Sequence, residues 1–254
     1  MNLRRNRYYL LLLLLVIAAI GAGVYYSRAP AGNPDALWQI VSRKCLPGQQ
    51  RTGQPAPCSE VNLAAGYVIL KDLNGPLQYL LMPTEKMTGM ESPPLLKPQT
   101  PNFFADAWRA RHFLAEKHGA PIPDSALSLA INSRSGRTQN QLHIHISCLR
   151  PDVRRQLDGE AAALGTAWRP LGEPLMGHPY LAKRVSAAAL TAQSPFLMLA
   201  REVPRAADNM GHFTLAMVPL ADGGFALLAG ERNLWRGNMA SAEEIQDHSC
   251  AILR

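Results

Sequence analysis

Hydrophobic and polar positions follow three patterns along this chain, and each predicts a different element. Residues 8–26 carry Leu10 to Leu15, then Val16, Ile17, Ala18, Ala19 and Ile20, without a single charge. That run is long enough to cross hydrocarbon as a helix. Helical spacing comes next. Leu37, Ile40 and Val41 predict a short helix over 35–44 that ends before Pro47. Phe103, Phe104, Ala107, Trp108, Arg111 and Phe113 predict an amphipathic helix over 103–118 with Asn102 as its N-cap. Helices are also expected over 152–164 and 181–193, with a last one beginning at Ser241, where Ser241-Ala-Glu-Glu244 has the form of a capping box.

The third pattern belongs to strands. Apolar runs at 66–72 and 77–82 flank Asn74-Gly75-Pro76 and predict a hairpin. Segments 125–132 and 141–149 are further strands, and 213–219 with 225–229, turned at Asp222-Gly223-Gly224, make a second hairpin. Residues 83–101 hold five prolines without periodicity and are expected to loop over the surface. The sum is an α+β domain, an antiparallel sheet with a helix packed on it. No internal repeat is visible in the sequence.

Composition gives the apolar run its context. The chain of 254 residues is 47% hydrophobic and 18% charged, the balance of a globular protein with a core. Arg4, Arg5 and Arg7 precede the run, so the positive-inside bias puts the N-terminus in the cytoplasm and the remainder across the membrane. The expected organisation is a basic cytoplasmic segment 1–7, a transmembrane anchor 8–26, a tether 27–34 and a catalytic domain 35–254. A cleaved signal peptide is the rival, since Ala29-Pro30-Ala31 loosely resembles a cleavage site, although the run is long and the triplet contains proline. The net charge of +7 fits an anionic membrane surface or simple solubility. Nucleic acid is disfavoured, because there is no dense arginine cluster beyond the N-terminus and no basic helix interleaved with aromatics.

Cys45, Cys58, Cys148 and Cys250 make an even count in a chain that faces an oxidising compartment. Cys45 with Cys58 closes a short loop rich in Pro, Gly and Gln, which leaves Cys148 for Cys250. Four buried free thiols are the alternative.

One dense constellation carries chemistry, the stretch from Asn132 through His143 and His145 to Ser147. Period-two alternation puts Gln141, His143, His145 and Ser147 on one strand face and Leu142, Ile144 and Ile146 on the other. Four polar groups in a row make a poor core face, so that face borders solvent or a ligand. An imidazole nitrogen attacks phosphorus and leaves again, which suits a carrier of a transferred group. Arg134, Arg137 and backbone amides around Gly136 are candidates to neutralise phosphate oxygens. Two histidines at i, i+2 also fit a solvated face, or two ligands of a metal.

The segment resembles the signature of the histidine-triad superfamily, His-x-His-x-His preceded by Asn and Gln, here His143, His145 and Ser147 with Asn132 and Gln139. The resemblance implies His145 as nucleophile, with Ser147 departing from the usual third member. The upstream hairpin, Leu70-Lys-Asp72 and Leu77 to Pro83, is similar to the first strands of that domain. It gives Asp72 a ribose contact and puts Gln78 where a histidine often stands.

Longer blocks resemble the bacterial CDP-diacylglycerol pyrophosphatase family: 66–84, 100–104, 130–140, 143–153 and 241–248. The resemblance implies an inner-membrane enzyme, periplasmic and single-pass, that hydrolyses CDP-diacylglycerol through a cytidylyl-histidine without cofactor or metal. Two rival functions stand beside it. One is a histidine-triad nucleotidyl transferase or hydrolase acting on a soluble nucleotide, and the other is a periplasmic module binding nucleotide or metal without turnover.

Overall fold

The computed structural model describes residues 3–27 and 32–254. The remainder, which includes part of the expected basic segment and tether, lies outside the described residues. The chain divides into two units, Met1–Pro34 and Asp35–Arg254. In the first, Leu3–Ser27 is helical (α1), and the apolar side chains from Tyr8 to Ile17 are exposed. Among the described residues, no helix is long and apolar enough to cross a membrane.

The second unit opens with a near-continuous helical stretch: α2 (Ala36–Ile40), a wide π-turn (Val41–Cys45) and α3 (Leu46–Thr52). The helix expected to stop before Pro47 therefore continues. Pro47 falls in the first turn of α3, where its missing N–H costs little.

The strands follow as β1 (Glu60–Asn62), β2 (Tyr67–Lys71) and β3 (Tyr79–Pro83), then β4 (Leu127–Ile131) and β5 (Ile144–Cys148) after two helices. Those helices are α4 (Phe103–Arg109) and α5 (His112–His118), so the single predicted helix is broken at residues 110–111. Asn102 caps α4, accepting from the Ala105 N–H at 3.2 Å. Next come α6 (Pro151–Glu160), β6 (Arg169–Pro170), β7 (Leu181–Val185), α7 (Ala187–Ala192), α8 (Pro195–Glu202), β8 (Phe213–Pro219) and β9 (Phe225–Glu231).

Two segments depart from the expected elements. Residues 181–185 form a strand, because they pair along β9 from Leu181–Ala229 to Val185–Phe225, and that pairing overrides helix-compatible spacing. Ser241 starts only a short 3₁₀ turn, Ala242–Ile245, and it does not cap, because its hydroxyl donates to Asn132 Oδ1 at 3.0 Å instead.

The described residues of this unit build one antiparallel sheet in the order β1-β2-β3-β5-β4-β8-β9-β7-β6. The order contains a repeat that the sequence conceals. Strands β2-β3-β5-β4 and β6-β7-β9-β8 are each two hairpins joined through helices, and the copies meet where Ala130 of β4 pairs with Ala216 of β8.

Packing of the two faces positions the site. One face, with Ile69, Leu81, Leu129, Ile144 and Ile146, buries under Phe103, Phe104, Leu114, Phe196 and Leu199 of the helices between hairpins. The other face is covered in two separate patches. Val41 and Cys45 cover Val68, Leu70, Leu80 and Met82, while Val153 and Leu157 of α6 cover Ala216, Val218 and Leu228. Histidine-bearing β5 lies in the seam between them. In the second copy, the position matching His145 is Leu228, and apolar packing fills the place.

Candidate active site

The seam is a cavity of about 570 Å³. Its floor is His143, His145 and Leu80, its walls are Asp72 and Asn74 on one side and Asn132, Thr138 and Gln139 on the other, and Glu243 lines it as well. Ala36, Leu37 and Ile40 of α2 form an apolar wall with Lys44 nearby. A hydrogen bond from the Leu37 N–H to Gln139 Oε1 (3.1 Å) ties that wall to the loop after β4.

His145 is 5% exposed. Its Nδ1 lies 3.1 Å from Gln78 Nε2, and the same amide nitrogen donates to Asp72 Oδ2 at 2.6 Å. Its Nε2 is buried and makes no hydrogen bond. The nearest anionic atom, Glu243 Oε2, stands 3.5 Å away. The His143 ring sits 4.9 Å from that of His145, and its Nδ1 donates to the Gln141 carbonyl at 2.6 Å, leaving Nε2 as an acceptor. Burial, then the neighbouring His145, push the His143 pKa down to about 4. Burial also lowers that of His145, against the pull of Glu243 and Asp72. Both imidazoles are therefore neutral at pH 7.

Of the four-residue polar face only His143 and His145 line the cavity. Gln141 is fully buried and donates to the Pro83 and Glu85 carbonyls at 3.1 and 3.0 Å, and Ser147 does not share the cavity either. Ser147 is fully buried opposite Ser128 of β4, its hydroxyl has no hydrogen-bond partner, and it is absent from the cavity lining.

Asp72, Asn132, Gln139, His143 and His145 come together here; Arg134 and Arg137 do not. Arg137 forms two hydrogen bonds to Glu91, at 2.7 and 2.5 Å, and a Cβ on Gly89 would meet its guanidinium. Arg134 faces a separate cavity of about 600 Å³ with His212 and Arg232. The expectation that these arginines flank the phosphate is therefore not met by their placement. Lys44 lines the site as a cation. Lys71 borders it, but its ammonium donates to the Asp72 and Gly75 carbonyls at 2.6 and 2.8 Å and lies over the Tyr79 ring on the other face of the sheet.

Sequence reasoning missed Glu243, and with it His248. Both lie on a C-terminal strap, residues 239–250, that lies across the end of β5. The Arg150 N–H donates to the Ile245 carbonyl (3.0 Å) and the Asp247 N–H to the Cys148 carbonyl (2.9 Å). The Cys148–Cys250 disulfide closes the strap onto the strand, and Cys45–Cys58 staples the α2–α3 stretch; both pairings match the expectation. Asn132 holds Glu243 twice, accepting from its N–H at 3.1 Å and donating from Nδ2 to Oε2 at 3.1 Å. His248 Nε2 lies 3.1 Å from Glu243 Oε1. Gly136 lets the loop approach this closely, since a Cβ there would sit 3.0 Å from the Ala240 carbonyl oxygen. The only sequence signal was the clustering of Ser241, Glu243, Glu244 and His248, which read locally as a helix start.

A seam holding a neutral imidazole with an unbonded buried nitrogen, a carboxylate and an apolar wall suits a polar ligand joined to an apolar group. Comparison with protein families agrees: the model for CDP-diacylglycerol pyrophosphatase matches residues 32–254, which include the whole of the second unit. The chain belongs to the CDP-diacylglycerol pyrophosphatase family, and it hydrolyses the pyrophosphate bond of CDP-diacylglycerol to cytidine monophosphate and phosphatidate.

Proposed function

We propose that hydrolysis proceeds through a covalent cytidylyl-enzyme on His145. The observation that carries this reading is the His145 Nε2, buried at the cavity floor with no hydrogen bond of its own while the other nitrogen is engaged by Gln78. A buried polar atom left unpaired is costly, and an incoming phosphoryl group relieves that cost. His145 attacks the cytidylyl phosphorus and expels phosphatidate; water then releases cytidine monophosphate. Asp72 receives the ribose, and Asn132 and Gln139 line the nucleotide. Lys44 supplies positive charge to the pyrophosphate. The mechanism and the sheet order both support a histidine-triad-like domain.

The exposed apolar side chains of α1 and the two disulfides support an anchor over 8–26 with residues 35–254 in the periplasm. The anchor keeps the enzyme on the bilayer that holds its substrate.

The test is rapid quench of the detergent-solubilised protein with substrate labelled in the cytidylyl phosphate, followed by mapping of protein-bound label. Label on His145 is expected. One observation favours a second assignment: the tautomer of His143 presents an Nε2 lone pair to the same cavity. Label on His143 transfers the role of nucleophile to it, and no label at any time refutes the covalent route.

A further inference from the structure

Glu243 stands at the reacting nitrogen, and the histidine motif gives it no role. The tautomer of His145 follows from its neighbours. The Gln78 amide nitrogen donates to Asp72 Oδ2 and faces His145 Nδ1, and an amide N–H only donates, so Nδ1 is an acceptor. In a neutral imidazole the proton then resides on Nε2, the nitrogen that faces Glu243 Oε2 at 3.5 Å. A protonated nitrogen has no lone pair for phosphorus. Attack therefore needs a base at that point, and among the described residues Glu243 is the only carboxylate within 4 Å of it.

Resting on the covalent reading above, we propose that Glu243 is the proton carrier of both half-reactions. In the first, the Nε2–P bond forms as the P–O bond to phosphatidate breaks. The Nε2 proton passes to the Glu243 carboxylate and from there to the departing phosphate oxygen. In the second, water attacks the same phosphorus and yields its proton to Glu243. The P–N bond breaks with its electron pair returning to Nε2, which takes the proton back from Glu243. One water is consumed, and both side chains end in their starting protonation states.

The strap supports this role. Asn132 grips the Glu243 backbone and carboxylate together. His248 contacts the other oxygen, and the Cys148–Cys250 bond fixes the strap to the strand that carries His145. Burial alone would raise the Glu243 pKa, but His145, Asn132 and His248 outweigh it and hold the group below the usual carboxylate range. The side chain is thus ionised and ready to accept a proton.

The experiment compares the full-length wild type with E243A and E243Q in detergent, using CDP-diacylglycerol labelled in the cytidylyl phosphate. E243A turnover is expected to fall about 10²–10⁴-fold, the range for a positioned acid–base group. Formate, which fits the space vacated by the side chain, restores it; E243Q, which fills that space without basicity, is not rescued. Where E243A fails to fold, the isosteric E243Q carries the test: a loss of at least about 100-fold with unchanged cytidine monophosphate affinity supports the proposal. Activity within a few-fold of wild type in either variant, or a folded E243A that formate leaves inactive, overturns it. Label that forms and decays at wild-type rates in E243Q also overturns it and leaves His145 as nucleophile. A wild type that never carries label while formate still rescues E243A overturns the covalent reading instead, and leaves Glu243 as the base for direct attack by water.

Discussion

Gln78, from the residue before β3, places its amide nitrogen 3.1 Å from Nδ1 of His145 on the neighbouring strand. The same nitrogen donates to Asp72, so one side chain links the imidazole orientation to the carboxylate proposed for the ribose. Gln78→Leu keeps the volume and removes both bonds, together with a longer one of 3.4 Å to Glu243 Oε1. A lost hydrogen bond at a buried partner costs about 1–3 kcal/mol, so kcat is expected to fall roughly 10–100-fold with a smaller change in KM. Steady-state kinetics checks this; an unchanged kcat would show that Gln78 does not orient the imidazole.

Alanine variants of the three motif positions are expected to rank by what each side chain touches. His145→Ala removes the proposed nucleophile and should lower turnover by several orders of magnitude while nucleotide binding survives. His143→Ala costs roughly 10²–10⁴-fold, as for a positioned polar group. Ser147 lies outside the cavity with an unbonded hydroxyl, so Ser147→Ala should leave turnover within a few-fold. Turnover numbers for the three variants decide the ranking, and a large loss at Ser147 would contradict its placement.

Arg137 is expected to matter for stability and not for turnover. Its guanidinium side chain is 7% exposed and paired with Glu91. Arg137→Ala leaves the Glu91 carboxylate half-buried without its partner. The cost is about 1–3 kcal/mol, readable as a lowered denaturation midpoint in detergent, with kcat/KM near that of wild type. A variant of unchanged stability but much weaker activity would return Arg137 to the role of phosphate ligand.

Burial of neutral His143 makes stability depend on pH in a defined direction. Its folded pKa of about 4 is depressed from an ordinary 6.5, so between these values the unfolded chain binds the proton and the folded one does not. The stability is fully present above pH 6.5 and is lost as the pH falls toward 4. Between pH 7 and pH 4.5 the contribution is about 2–3 kcal/mol. Denaturation at the two pH values should show that loss in wild type and a smaller one in His143→Gln. Equal losses would mean that His143 is more solvated than its burial indicates.

How much was legible in the sequence depended on how local the cause was. Apolar runs bounded by turn residues assigned the hairpins 66–72/77–82 and 213–219/225–229, and alternation put His143, just before β5, and His145 on one side of the chain, because turn chemistry and side-chain direction are properties of neighbouring residues. The Asn102 cap and both disulfide pairings were likewise legible, from a local hydrogen bond and from the short loop that Cys45 and Cys58 close, which leaves Cys148 for Cys250. Tertiary structure decided the rest. Residues 181–185 became a strand only because β9 offered an unpaired edge, and Ser241 lost its capping role because Asn132 competed for its hydroxyl. The loop after β4 separated Arg137 and Arg134 from the histidines they neighbour in sequence. Glu243 reached His145 through a strap closed by Cys148–Cys250. The chemical groups at this site are fixed by residue type, but which of them meet is fixed by chain crossings between residues far apart, and no local pattern of polar and apolar positions encodes those.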